Sequence, residues 1–283
     1  MTTQHASFTR RGGDGGHMLK TLLLTGAAGG VGKAIRPLLK DVAENVVLSD
    51  MVDMADLASH ETFVKCDLSN RAEVDEAVAG VDGIIHLGGI SVERPFELIL
   101  KGNIEGVYNL YEAARHNGQP RIIFASSNHT IGFYRRDEKI DSTSPVRPDS
   151  LYGVSKCFGE NMASFYFDKF GQETLSVRIG SLTQKPQTTR MLATWLSAGD
   201  FVSLCVRGFE APRLGHAVVY GASDNPERWW DNGNTAFLGW QPQDSSAKWR
   251  AEILAQAGKE DPKDPAHIYQ GGGFTTFGHP ADE

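Results

Sequence analysis

Residues 19–32, LKTLLLTGAAGGVG, run from an apolar segment straight into a glycine-rich turn, after which a helical pattern begins at Lys33. An uninterrupted apolar run of this length reads as a strand buried on both faces, which places it inside a sheet covered by helices on each side. Gly26, Gly29 and Gly32 are three apart. A turn that tight needs residues without a Cβ, so that backbone N–H groups and a helix N-terminus can face a pyrophosphate. Gly30 and Val31 lie in the same turn and join the candidate cofactor cradle. The spacing is G-x-x-G-x-x-G, not G-x-G-x-x-G, and a glycine turn alone can equally serve packing. Its place in a first strand–turn–helix unit is what points to a dinucleotide.

The rest of the chain repeats the alternation. Strands are expected at VVLSD (46–50), FVKCDL (63–68), GIIHLGG (83–89), RIIFASS (121–127) and TLSVRIGS (174–181). Helical patterns fall at 71–80, at roughly 96–116 and at 150–171. The fold class is therefore α/β: a doubly wound parallel sheet (Rossmann fold) with a small C-terminal substrate-binding region. In domain terms, 18–181 is the NAD-binding unit and 182–283 the addition, with helices near 189–209 and 245–257 and a strand at HAVVYGA (216–222). Residues 1–17 carry charge and glycine without an apolar core, so they read as a disordered leader or tag and not as a secretory signal.

Net charge narrows the partners. At −7 the chain lacks the basic balance of a nucleic-acid or membrane-surface protein. No apolar run approaches the roughly 20 residues of a membrane span. Cys66, Cys157 and Cys205 form no C-x-x-C pair, which fits a reducing cytoplasm, and the nine histidines show no metal-ligand spacing. The expected partner is a small molecule, with no metal.

Strand ends carry the remaining signals. Asp50 closes its strand 18 residues beyond Gly32, where a carboxylate accepts hydrogen bonds from both hydroxyls of an adenosine ribose. It would repel a 2′-phosphate, and Met51 and Val52 offer no cation to offset that, so the expected cofactor is NAD rather than NADP. Asp67 and Leu68 are candidates for the adenine edge. Leu87, Gly88 and Gly89 would lie under the dinucleotide. A strand-end acid or a glycine pair can also be purely structural.

Tyr152 and Lys156 stand four apart on one expected helix and so share a face. A free tyrosine titrates near 10, and a neighbouring ammonium together with the positive nicotinamide ring would lower that value enough to make a base. Ser127, at a strand end, would hold the reacting hydroxyl beside Tyr152, while Ser126 points to the other side of the strand.

With these residues in place the chain resembles the extended short-chain dehydrogenase/reductase superfamily, whose turn is T-G-x-x-G-x-x-G. "NIEGVYNLYEAAR" (103–115) is similar to a helix of its sugar-nucleotide epimerases, whose catalytic-site asparagine corresponds to Asn103. "FASSNHTIG" is similar to the segment that carries their catalytic serine, here Ser127. A narrower resemblance, to uronate dehydrogenases, rests on "VRPDSLYGVSKCFGE", "RMLATWLS", "VVYGASDN" with "WWDN", and "IYQGGGF", and runs from Leu19 to the C-terminus. It implies NAD-dependent oxidation of D-galacturonate or D-glucuronate to an aldaric acid lactone. It also implies a homo-oligomer, a cofactor contact at Ile179, and a sugar pocket lined by Ser91, Asn128, His129, Ser181 and Phe274 beside Ser127 and Tyr152. Arg190 matches the family's carboxylate-binding arginine.

The chemistry agrees. A cyclic uronate needs a base for its O1 proton and an acceptor for the C1 hydride, and the product is a lactone. An open aldehyde would instead call for a nucleophilic cysteine, and Cys157 sits on another part of the helix from Tyr152. Arg178 rivals Arg190 for the carboxylate, but as a strand residue it is expected to face neighbouring acids. Trp229 and Trp230 read as packing. Two alternatives stand beside this reading. A sugar-nucleotide epimerase or dehydratase would need more than the 102 residues that follow Ser181 to enclose its nucleotide. A non-catalytic NAD sensor would be expected to have lost Tyr152 or Lys156.

Overall fold

Leu22, Leu23 and Leu24 are all fully buried, yet Leu22 and Leu24 pack into one apolar layer and Leu23 into another. That alternation is what a strand covered on both faces requires. In this computed structural model, which describes residues 19–280 and 282, Leu19–Thr25 (β1) is an interior strand of a seven-stranded sheet. The expected leader, 1–17, lies outside the described residues. The other strands are Ala43–Asp50 (β2), Glu61–Lys65 (β3), Gly83–His86 (β4), Arg121–Ser127 (β5), Thr174–Ile179 (β6) and His216–Gly221 (β7). Their order is β7-β6-β5-β4-β1-β2-β3, and every neighbouring pair is parallel. The chain leaves β1 towards β2 and β3, then returns to place β4 on the other side of β1. The carboxyl ends of β1 and β4 therefore flank the switch point where such sheets open a crevice.

Helices Gly30–Ile35 and Ala198–Glu210 cover one face, where Ile35, Phe201 and Leu204 meet Leu22, Leu24 and Ile123. On the other, Arg71–Val78, Gly106–His116 and Leu151–Phe170 bring Val74, Leu110, Tyr111 and Tyr166 against Leu23, Ile122 and Phe124. The Leu151–Phe170 helix comes especially close to β5, because a Cβ on Gly159 would overlap the Phe124 ring.

Several boundaries depart from the sequence pattern for physical reasons. β3, β4 and β6 stop at Lys65, His86 and Ile179, leaving 66–68, 87–89 and 180–181 outside the main sheet. At β4 the Leu87 amide still donates to Thr25 O at 3.2 Å, but β1 turns away at Gly26 and the next amide, Gly88 N, donates to the Thr25 hydroxyl at 3.2 Å instead of a strand carbonyl. The single helix expected over 96–116 is Phe96–Ile99, a π-helical turn Leu100–Glu105 and Gly106–His116, with Asn103 in the wide turn. The helix expected near 189–209 is broken: Met191–Thr194 ends where Trp195–Leu196 pairs with Ser181–Leu182, and a new helix starts after Ser197, whose Oγ accepts from Asp200 N at 3.0 Å.

The C-terminal part supplies β7 to the main sheet and a small aromatic cluster. Trp230 stacks on buried Tyr220 at 5.1 Å and donates its Nε1–H to Gln270 at 2.8 Å, with Trp229 packed alongside, so both tryptophans serve packing as expected. Gln270 also donates to Arg135 O and Glu138 O (2.9 and 3.0 Å), which fastens the last segment of the chain back across the mouth of the sheet.

Candidate active site

The crevice between β1 and β4 continues into a cavity of about 600 Å³ whose walls come from the ends of the central strands. Gly26 adopts φ +69°, and a Cβ there would press on the Leu87–Gly88 backbone, so glycine lets the two strand ends approach. A Cβ on Gly32 would overlap the Gly26 carbonyl, which seats the helix directly on the turn. The first intrahelical bond is Lys33 N to Gly29 O at 2.9 Å. The amides of Gly30, Val31 and Gly32 precede it, and these residues line the cavity.

Asp50 lines the same wall. Its Oδ2 accepts from Ala28 N at 3.0 Å and its Oδ1 from Val52 N at 3.1 Å, so backbone amides orient the carboxylate. Met51 and Val52 beside it are exposed, and Arg36 is committed to both oxygens of Glu61 (2.8 and 2.6 Å). Asp67 and Leu68 follow β3 and face the cavity with Leu87, Gly88 and Gly89. These residues fit an adenine dinucleotide: an acceptor-only group for a diol, glycines where a Cβ would close the wall, and helical amides with no partner in the first turn.

Ser127, Tyr152 and Lys156 converge at the other end of the cavity, together with Ile179. Tyr152 shares a hydrogen bond with the Ser127 side chain. Ser126 turns away, as expected, and donates to Glu160 Oε1 at 2.6 Å. Lys156 Nζ lies 5.6 Å from the Tyr152 ring centroid and 5.1 Å from that of Phe124. Burial pushes the Tyr152 phenol up to about 12, with the Ser127 bond acting against that and the Asp149 charge adding to it. Burial likewise pulls the Lys156 ammonium down to about 8. In the chain alone, burial therefore dominates both groups; the expected lowering of Tyr152 calls on Lys156 together with the positive nicotinamide ring.

Asn103, expected among the catalytic residues, is held behind this triad. Its amide accepts from Ile90 N (2.7 Å) and donates to Ile90 O (2.9 Å) and Ser155 Oγ (2.8 Å). It ties the loop after β4 to the Leu151–Phe170 helix. Glu93, in the same loop, was not legible in the sequence. Its two oxygens accept from Leu151 N (3.0 Å) and Tyr152 N (2.9 Å), capping the helix at the tyrosine itself. No local motif could reveal it, because its partners are 58 and 59 residues away.

Arg190 stands at the N-terminus of Met191–Thr194. It donates to Gln270 O at 2.7 Å and Ser181 Oγ at 3.3 Å, and its third nitrogen meets the Asn128 amide oxygen at 2.5 Å when the Asn128 nitrogen donates to Ile179 O. No carboxylate among the described residues pairs with it. Burial pulls its guanidinium down to about 10, helped by the charge of Arg136 and opposed by that of Asp149. Arg178, the rival, is itself buried, pairs with both oxygens of part-buried Glu160 (2.9 and 2.8 Å) and donates to Tyr220 Oη, so it is spent on structure. His129 stacks on Phe274 at 3.7 Å and meets the edge of Tyr152 at 5.8 Å. Ser91, from the loop after β4, lines the cavity with Asn128, His129 and Phe274, whereas Ser181 and Arg190 lie outside its lining, Arg190 joining Ser181 to Asn128 of the wall.

Residues 22–208 match the NAD dependent epimerase/dehydratase family. The chain is 57% identical over 258 residues to a uronate dehydrogenase of Pseudomonas putida, covering 91% of this chain and 96% of that protein. Among solved structures, a glucuronic acid dehydrogenase from Chromohalobacter salexigens superposes with a TM-score of 0.93 at 61% identity, over 94% of this chain and 100% of that one. A uronate dehydrogenase from Agrobacterium tumefaciens, a tyrosine-to-alanine mutant complexed with NAD, gives a TM-score of 0.90 at 54% identity, over 92% and 98% of the two chains. Identity at this level over nearly the whole length places the protein: it belongs to the uronate dehydrogenase family, within the NAD dependent epimerase/dehydratase family.

Proposed function

We propose that the chain oxidises the anomeric carbon of a cyclic hexuronate, D-galacturonate or D-glucuronate, to an aldaric acid lactone, with NAD as the oxidant. The observation that carries this reading is Arg190, a part-buried guanidinium that bonds Asn128 of the cavity wall and whose hydrogen-bond partners are all neutral. A carboxylate is the ligand that offsets its desolvation, by two parallel hydrogen bonds.

Gly26, Gly29, Gly30, Val31 and Gly32 would hold the pyrophosphate, Asp50 the ribose hydroxyls, Asp67 and Leu68 the adenine edge, and Leu87, Gly88, Gly89 and Ile179 the remainder. When bound, NAD supplies the hydride acceptor and a positively charged ring near the phenol. Tyr152 removes the O1 proton, Ser127 holds O1 by a hydrogen bond, and Lys156 contributes positive charge below its pKa of about 8. Asn128, His129, Ser91, Ser181 and Phe274 shape the sugar site. The cyclic route needs no thiolate, and burial pushes the Cys157 thiol up to about 12, which removes the one cysteine near Tyr152 as a nucleophile.

The reading includes a cytoplasmic homo-oligomer. The three free cysteines are buried, and no described helix is long and apolar enough to cross a membrane. Tyr108, Val154 and Phe165 expose about half of their surface on the packed helices Gly106–His116 and Leu151–Phe170, which suits contact with a second copy. Sedimentation equilibrium should give a multiple of 30.9 kDa; a single-chain mass would remove this part of the reading.

Reduced nicotinamide absorbance should rise with NAD and either uronate but stay flat with galactose, glucose or a UDP-sugar; Tyr152→Phe should lower the rate by about 10²- to 10⁴-fold while NAD affinity holds. A flat trace with both uronates would sink the assignment. Arg190→Ala should raise KM for the uronate by about 30-fold or more and bring the preference for uronate over neutral sugar towards one. An unchanged KM would move the carboxylate elsewhere.

Lys156 makes a prediction about stability. Its folded value of about 8 lies below the ordinary 10.5, so the unfolded chain binds the proton more tightly, and near neutrality the buried ammonium destabilises the fold. The gap corresponds to about 3 kcal/mol. Lys156→Met should therefore unfold at higher urea than the parent at pH 6.5, with the advantage shrinking as pH rises from 8 to 10.5. An advantage independent of pH would contradict this account.

A further inference from the structure

Asp149 precedes the N-cap of the Leu151–Phe170 helix, and its side chain is fully buried. It occupies a slot that exists only because Gly132 and Gly271 have no Cβ: at either position a methyl group would overlap Oδ2. Gly271 belongs to the returning C-terminal segment and donates its N–H to Gly132 O at 2.9 Å, so both walls are fixed. Inside the slot every polar contact has a direction. Gly153 N donates to Ser150 Oγ at 3.0 Å, which leaves the Ser150 hydrogen to donate to Asp149 Oδ1 at 2.9 Å. The other oxygen, Oδ2, lies 2.8 Å from His129 Nδ1. A carboxylate only accepts, so Nδ1 carries the hydrogen and the lone pair of the imidazole lies on Nε2.

We infer that Asp149 is a positioning residue that holds His129 as its Nδ1–H tautomer, so that Nε2 faces the sugar as a hydrogen-bond acceptor and selects a substrate with a hydroxyl at that point. The inference rests on the proposed sugar pocket and deepens it. Phe274 stacked on one face of the ring and Tyr152 at its edge leave His129 one orientation, and His129 lines the cavity. Burial keeps the imidazole below its ordinary pKa despite the opposing pull of Asp149, so the ring is neutral and Nε2 is free to accept. The other polar side chains at this end give the acceptor its meaning. Arg190 can only donate, and the Asn128 oxygen is taken by Arg190. A sugar hydroxyl, itself a donor, is what Nε2 can recognise, and a deoxy position leaves it unpaired.

Nitrogen-15 spectra of the parent protein with labelled histidine, His129 being identified by the signal lost in His129→Phe, report the tautomer directly. A protonated Nδ1 with an unprotonated Nε2 is expected; the reverse pattern, or an imidazolium at pH 7, would overturn the inference even if Asp149 variants failed to fold. Kinetics then test the consequence. Among hexuronates deoxygenated singly at C2, C3 or C4, one should lose about 10- to 100-fold in kcat/KM with the parent. Asp149→Asn, whose amide can donate to Nδ1 and reverse the tautomer, should raise KM for the intact uronate, leave the Kd for NAD within about twofold, and abolish the penalty against that same deoxy sugar. If the two losses simply multiply, Asp149 does not act through Nε2. Absence of any uronate turnover by the parent would defeat the substrate reading and the selected hydroxyl with it, while the nitrogen spectrum would still report on the tautomer alone.

Discussion

The seat of the Leu151–Phe170 helix on β5 governs the rest of the molecule. Glycine at 159 lets the helix settle against the Phe124 ring, and Glu160, one residue on, joins Ser126 of β5 to Arg178 of β6. That ion pair is nearly inaccessible to water, so breaking either side would leave a buried charge unmatched. Ser150, Glu93 and the Ser155–Asn103 bond then fix the amino end of the helix. Tyr152 is the second residue of the helix, and its position relative to Ser127 follows from these contacts.

Burial works against charge throughout the candidate site. The phenol is pushed up, and the ammonium of Lys156 and the guanidinium of Arg190 are pulled down. Each group is held in a form or a place that water would not choose; a positive charge beside Tyr152 and an anion beside Arg190 would restore what burial removes there. The same surroundings would make those interactions stronger than in solvent once formed. Sites of this kind trade fold stability for readiness, which is why the polar side chains that need a ligand lie beside ones already satisfied, such as Arg178.

Period and spacing carried the architecture well. β1 and β5 fall on the apolar runs residue for residue, and the strand-end positions of Asp50 and Ser127 are legible in the sequence alone. Loops were harder. Leu87–Gly89 looked like strand because apolar composition does not say where a neighbour turns away, and the π turn around Asn103 leaves no trace in a helical pattern. Likeness to other chains points to Asn103, but only contacts show that it bonds Ile90 and Ser155. Glu93 and Asp149 are illegible in the sequence for a related reason. A carboxylate facing backbone amides or a buried imidazole looks in sequence like any loop acid, since the contacts that define it are long-range.

The returning segment of the chain has a consequence in time. Every wall of the dinucleotide crevice has emerged by Leu182, and its helical cover by Glu210. The sugar end waits for Gln270, whose carbonyl anchors Arg190, and for Phe274, which pins His129. During synthesis the amino end of a chain emerges first. A growing chain of this kind would therefore acquire a place for its oxidant well before it could tell one sugar from another.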